Sequence, residues 1–184
     1  CGHNLIAMVA VGCGIACREF ADEYGAEIDV IGTPAEETAG TKVPMSAMGV
    51  FKDYDAVMMA HPMFSNTDCF NSIAMDAYQI EFFGKPAHAA NTPYEGINAL
   101  DAMINFFNLI NAMRQETKPD ARIHGIITDG GKAANIIPDY TSASFYIRAN
   151  RVADVKQLAE RVRNCAAGAA LATGCTYRME YNEE

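Results

Sequence analysis

The sequence has no run of 18 or more uninterrupted apolar residues, so no membrane-crossing helix is expected. No basic start followed by an apolar stretch opens the chain, and no secretory leader is expected there. Positive charge is scarce: 14 Lys and Arg face 23 Asp and Glu, a formal net charge of −9. That balance argues against nucleic acid or an anionic membrane surface as a partner, since both are held through Lys and Arg. The six cysteines (Cys1, Cys13, Cys17, Cys69, Cys165 and Cys175) are too scattered for a short-chain disulfide framework. Buried thiols in a reducing cytoplasm are the expectation, with Cys13 and Cys17 sharing a helix face in a core. Internal repeats and low-complexity tracts are also missing, which excludes a solenoid or a linker.

What remains is an ordinary globular composition, 50% hydrophobic and 20% charged over 184 residues, enough for one large domain or two small ones. The first part, residues 1–70, alternates helix and strand in the manner of an α/β layer. Leu5 to Tyr24 has Leu5, Met8, Val9, Gly12, Ile15 and Ala16 at helical spacing. Glu27–Gly32 and Asp55–Ala60 read as short buried strands of a parallel sheet, and Pro44 opens a short helix toward Met48. Two strands are few for such a sheet, so this reads as part of a larger domain.

The second part, 71–184, has a different order. Strands are predicted over Ile73–Phe83, Ile123–Thr128, Thr141–Ala149 and Cys175–Tyr181. Long helices are predicted over Pro93–Arg114 and Val152–Ala172, the latter ended by Gly174. The sequence βαββαβ is the ferredoxin-like order, which predicts a four-stranded antiparallel sheet with both helices on one face. The fold class is therefore α/β plus α+β.

Four polar clusters stand at element ends. Cys1-Gly2-His3-Asn4 precedes a helix. A thiolate and an imidazole two residues apart can face one metal, although for this cluster alone the plainer reading is a helix-capping segment with Asn4 as the cap. Glu36 and Glu37 follow the first strand, where α/β sheets bind ligands. Two adjacent carboxylates can divide the work between ligation and proton transfer, or form a solvated acidic turn. His61 follows the second strand at the same sheet edge. In the second part, His88 follows a strand, Asn135 precedes one, and Arg148 sits near that strand's end. An imidazole and an amide can stabilise an oxyanion, and a guanidinium fork suits a carboxylate. Plain turns and a surface ion pair are the alternative.

Taken together, CGHN at 1–4, GTPAEE at 32–37, AHPM at 60–63, GKPAHAA at 84–90 and GGKAANIIPD at 130–139 carry a resemblance. The chain resembles the metal-dependent aminoacylase and peptidase family that includes hippurate hydrolase, indole-acetyl-amino-acid hydrolases and aminobenzoyl-glutamate hydrolase. The resemblance implies a zinc-exopeptidase-like catalytic domain interrupted by a ferredoxin-like domain that forms homodimers. It implies hydrolysis of the amide bond of N-acyl amino acids or dipeptide-like substrates, with two divalent ions, zinc or manganese. Cys1, His3, Glu37 and His61 match metal ligands, and Glu36 matches the general base. His88 matches a residue that reaches a partner subunit's site and steadies the oxyanion. Asn135 and Arg148 match substrate contacts.

In that family the catalytic domain begins before CGHN, resumes after the smaller domain and there supplies a last histidine ligand. His124 lies in a strand of the wrong domain for that role. The chain is accordingly expected to be an internal piece with an incomplete dinuclear site, inactive by itself. Two rivals stand beside this reading. One is a dimerisation module without catalysis. The other is an N-terminal-nucleophile hydrolase using the Cys1 thiol and its own α-amine, which leaves GTPAEE and AHPM unexplained.

Overall fold

The computed structural model describes residues 1–68 and 72–182, and the chain divides into two compact units, 1–69 and 70–184. The boundary expected between residues 70 and 71, and Cys69, lie outside the described residues.

Among the described residues the first unit holds four helices: α1 (His3–Ala16), α2 (Arg18–Tyr24), α3 (Glu36–Ala39) and α4 (Lys42–Ala47). The single helix predicted over 5–24 is broken at Cys17, with a bend of 44° between its halves. Cys17 has φ −84° and ψ −4°, a bridge-region geometry that turns the axis. Its N–H closes α1 on the Cys13 carbonyl, and its own carbonyl receives Ala21 N–H to open α2. No described helix is by itself long and apolar enough to cross a membrane. The apolar stripe of α1 is present but uncovered, with Leu5 50% and Met8 71% exposed. For the same reason Cys1 and Cys13 are exposed rather than buried; of the described cysteines only Cys175 is buried.

The strands expected over 27–32 and 55–60 form no ladder among the described residues. A parallel-type strand is held by neighbours on either side, and neither segment has one here. Their apolar runs are exposed at Ile28, Val30, Val57, Met58 and Met59. Other contacts tie these segments in. Tyr54 Oη donates to Asp29, and Gly14 in α1 lies so close to Val30 that a Cβ there would meet its Cγ2 at 2.8 Å.

The second unit is built on a four-stranded antiparallel sheet made of β1 (Ala74–Phe83), β2 (Arg122–Asp129), β3 (Tyr140–Ala149) and β4 (Thr176–Tyr181), in the order β2-β3-β1-β4. Two helices, α5 (Ala99–Met113) and α6 (Val152–Thr173), complete it. The register sets Ile80 opposite both Ala143 and Met179, and Ile123 opposite Ile147. Side chains alternate across a sheet, so these residues share one face with Phe82 and Phe145. Both helices cover that face. Phe106 of α5 meets Phe82 and Phe145, with ring centroids 5.9 and 5.2 Å apart. Ala159, Ala166, Ala169 and Ala170 of α6 are all buried, and such small side chains let two helices approach closely. Gly174, at φ 77°, ends α6 in the left-handed conformation that glycine adopts without strain.

The helix predicted from Pro93 begins instead at Ala99. Pro93–Glu95 is a separate 3-10 turn, and Asn98 caps α5 by accepting from Leu100 N–H and Asp101 N–H. Pro93 does occupy a first helical position, but of the short turn. The other predicted borders of this unit agree with the structure to within about two residues, the usual scatter of helix and strand ends.

On the opposite face of the sheet, the buried Glu81 receives Arg178 Nε at 2.6 Å and Tyr140 Oη at 2.7 Å. The Arg178 guanidinium, aided by Tyr140, holds the Glu81 carboxyl below its ordinary value against the opposing effect of burial. Asp154 at the start of α6 is held well below the usual carboxylate range by Arg151 and then Lys118. A carboxyl depressed in the folded state contributes stability that is present above its unfolded pKa and lost as pH falls through the folded one. The melting temperature is therefore expected to fall steadily from about pH 4 downward, and Glu81→Gln to flatten that slope. A slope unchanged in the variant assigns the acid sensitivity elsewhere.

Candidate functional site

The first site is assembled in the first unit from the clusters at residues 1–3, 36–37 and 61–62. Gly2 has φ 77°, and a Cβ on it would stand 3.0 Å from Pro62 Cγ. Only glycine accepts both the left-handed backbone and the close approach, so the Cys1–His3 segment seats directly against the residue after His61. Cys1, His3 and Glu37 each offer a ligand atom, and these atoms lie within 4.8 Å of one another. His3 Nε2 stands 3.1 Å from Glu36 Oε2 and 3.6 Å from Glu37 Oε1.

The two glutamates are placed by an unusual residue. Ala35 has φ 57° and ψ 38°, the one non-glycine residue with positive φ among those described. A β-carbon in this conformation is strained by about 1–2 kcal/mol. The reversal starts α3 at Glu36, so consecutive carboxylates leave the helix roughly 100° apart and present themselves differently to His3. His61 Nδ1 lies 2.9 Å from the Pro62 carbonyl. A carbonyl only accepts, so Nδ1 carries the proton and Nε2 keeps a free lone pair, the arrangement in which imidazole ligates metals. His61 is not among the three residues whose ligand atoms converge. A thiolate, an imidazole and a carboxylate within this span fit a divalent ion of the zinc type.

The second constellation belongs to the sheet unit. β1 runs out into Gly84, where a Cβ would meet the Ile97 carbonyl oxygen at 2.1 Å; any side chain there would drive the chain away from its partner. The loop after β1 is laced to the loop before β3 by main-chain bonds. Ala89 N–H donates to Asn135 O at 3.0 Å, and Ile137 N–H to Ala87 O at 2.9 Å, making a bridge between His88 and Ile136. His88 and Asn135 are thereby brought together at the surface. His88 Nδ1 accepts from Ala90 N–H at 3.3 Å and Asn91 N–H at 3.2 Å. Two donors on Nδ1 leave the proton on Nε2, so the outward edge of the ring is a hydrogen-bond donor.

Arg148 is not part of that constellation. It lies toward the far end of β3, a strand that starts beside the His88 loop at Tyr140 and rises about 3.4 Å per residue, which carries Arg148 roughly 27 Å along the sheet from that start. Its guanidinium stands over the Tyr146 ring at 5.7 Å, and its Nε is buried with no hydrogen-bond partner among the described residues. The sequence signalled the residue types at all these sites. Nothing in it marked the Gly2–Pro62 contact or the left-handed Ala35.

The chain is 40% identical over 184 residues to the Xaa-Arg dipeptidase of Mus musculus, covering 98% of this chain and 43% of that protein. It is 34% identical over 188 residues to a p-aminobenzoyl-glutamate hydrolase polypeptide of Escherichia coli, covering 100% of this chain and 39% of that protein. The chain thus spans less than half the length of these relatives. In structure it resembles an aminobenzoyl-glutamate utilization protein from Klebsiella pneumoniae, with a TM-score of 0.54 at 23% identity over 60% of this chain and 28% of that one, a likeness of fold. Residues 75–173 match the peptidase dimerisation domain of the M20 type. With that stretch running from β1 through α6, the chain belongs to the M20 peptidase dimerisation-domain family.

Proposed function

We propose that the full-length protein carrying this chain hydrolyses the amide bond of N-acyl amino acids or dipeptides, as a homodimer built through the sheet unit. The observation that carries this reading is the convergence of Cys1, His3 and Glu37 to within 4.8 Å beside a spare carboxylate, Glu36. The named activities of the relatives support it, each being hydrolysis next to an amino acid. Cys1, His3 and Glu37, together with His61, would hold two divalent ions, zinc or manganese. When bound, such ions polarise the scissile carbonyl and lower the pKa of water.

The chain's own residues do the rest. Glu36, outside the ligand group, takes the proton of the attacking water and returns it to the leaving amine. His88, supplied by a second copy of the chain, donates from Nε2 to the oxygen that becomes negative at the tetrahedral stage. Asn135 provides a neighbouring amide donor. Arg148 binds the substrate carboxylate with its fork. The thiol of Cys1 serves as a ligand and not as a nucleophile, since its neighbours in the ligand group are a histidine and a carboxylate that suit a metal.

The test pairs elemental analysis with an N-acyl amino acid hydrolysis assay, on the full-length protein and on this chain side by side. Two metals per subunit with turnover in the full-length protein, and neither in the chain, is the expected result. A full-length protein without metal and without turnover would leave the chain a dimerisation module alone.

A further inference from the structure

The break between α1 and α2 brings two thiols face to face. Cys13 Sγ lies 3.9 Å from Cys17 Sγ. Residues four apart on a helix have Cβ atoms about 5–6 Å apart, so both side chains lean inward to bring their sulfurs together. Cys13 is exposed and Cys17 half-buried, so the pair is open to solvent. The turn that carries it is held in place from two sides. Cys17 N–H donates to the Cys13 carbonyl at 2.9 Å, and Gly14, next to Cys13, sits so close to the 27–32 segment that a Cβ would meet Val30 Cγ2 at 2.8 Å. Neither thiol belongs to the ligand group of Cys1, His3 and Glu37.

Two uses of such a pair differ in geometry. A disulfide needs Cβ atoms about 3.5–4.5 Å apart, closer than a helix holds them, so closing it would unwind the last turn of α1. A single tetrahedral ion bonded at about 2.3 Å to each sulfur holds two thiolates roughly 3.8 Å apart. The observed separation of 3.9 Å matches the ion. Proton chemistry points the same way. The hydrogen bond with Cys13, and then its charge, push the Cys17 thiol above its ordinary value, so a second thiolate beside the first is unfavourable until a cation joins them.

We propose that Cys13 and Cys17 form a bidentate site for one soft, thiophilic divalent cation of the zinc and cadmium type, separate from the hydrolytic centre. Binding exchanges two thiol protons for the ion, with both sulfurs leaving as thiolates on the metal, two protons released to solvent and no change of oxidation state. Among the described residues no third His, Cys, Asp or Glu converges with the two sulfurs, so the remaining positions on the ion fall to water or a small-molecule thiol. The bound ion clasps the last turn of α1 to the residue that opens α2 and fixes the 44° bend there. The site stands independently of the hydrolytic reading above.

The test is a titration of this chain with cadmium ion alone, under a phosphine reductant, in a Cys1→Ser background that removes the thiol of the first ligand group. One ion per chain, with a cadmium NMR resonance in the range of two-sulfur ligation, is the expected result. Cys13→Ser and Cys17→Ser, added singly, should each weaken binding by about 10²–10⁴-fold, the scale of losing one of two linked contacts. An unchanged circular dichroism spectrum checks that the variants fold. If a variant does not fold, the sulfur count in the parent chain still decides, because a one-sulfur resonance overturns the site. Binding undiminished in either variant also overturns it, as does one ion per two chains, which places the two sulfurs on different copies. In the full-length protein, with the hydrolytic centre filled first with zinc, one further cadmium ion is expected with the zinc content unchanged, and Cys13→Ser should abolish its uptake. No further uptake there would overturn the proposal for the whole protein, whatever its turnover.

Discussion

Glu36→Gln in the full-length protein is expected to lower kcat by about 10²–10⁴-fold while the metal content stays the same. The reason is local. Glu37 shares the ligand group with Cys1 and His3, whereas Glu36 is outside that group and meets the His3 ring at 3.1 Å. A carboxamide at position 36 keeps size and a hydrogen-bonding oxygen but cannot take a proton. The same change at position 37 removes a ligand, so Glu37→Gln should lose metal first and activity as a consequence. Elemental analysis beside steady-state kinetics separates the two cases. Metal lost from the Glu36 variant and retained in the Glu37 variant would exchange their roles.

The second large effect is expected at His88. His88→Ala should reduce kcat by about 10²–10³-fold, the scale of removing one oxyanion donor, with metal content unaltered. The ring is held in readiness, since the Ala90 and Asn91 amides fix Nδ1 as acceptor and leave Nε2–H outward. His88→Gln, which retains a donor, should recover part of the loss. If two copies share each site, mixing Glu36→Gln with His88→Ala protein should restore activity to a fraction of the mixed dimers. Such complementation cannot occur if every residue acts within its own copy. A rate unaffected by His88→Ala would confine the chemistry to the first unit.

The sheet unit was largely legible from the chain because local signals and packing agree there. Alternation over 74–83 and 140–149, the helical period of 152–173 and Gly174 as terminator each point to the element that forms. Where two signals competed, one had to lose. Pro93 suits a first turn, but Asn98 followed by Asp101 is the stronger cap, and the 3-10 turn and Gly96 come between them. In the first unit, apolar runs at 27–32 and 55–60 resemble buried strands, yet a strand is defined by its partners, and composition cannot supply those.

The candidate sites divide in the same way. Residue type pointed to Cys1, His3, Glu36, Glu37, His61, His88, Asn135 and Arg148, because thiol, imidazole and carboxylate groups at element ends are few and conspicuous. What no spacing rule reveals is register. That Arg122 faces Arg148 depends on how β2 slides along β3, and there the ladder is also irregular between Ile127 and Asp129. Position 35 is similarly opaque, since alanine carries no mark of a left-handed backbone.

The order of the strands has a consequence for biosynthesis. β1 lies inside the sheet, yet one of its two neighbours is the last strand to be made; Glu81 and its partner Arg178 are 97 residues apart in the chain. At about 5–20 residues per second a ribosome needs roughly 5–20 s to add that length. Through that interval one hydrogen-bonding edge of β1 stands open, a template for strands from other nascent chains. Chaperone occupancy on the growing polypeptide is therefore expected to peak after α5 emerges and to decline once β4 clears the exit tunnel.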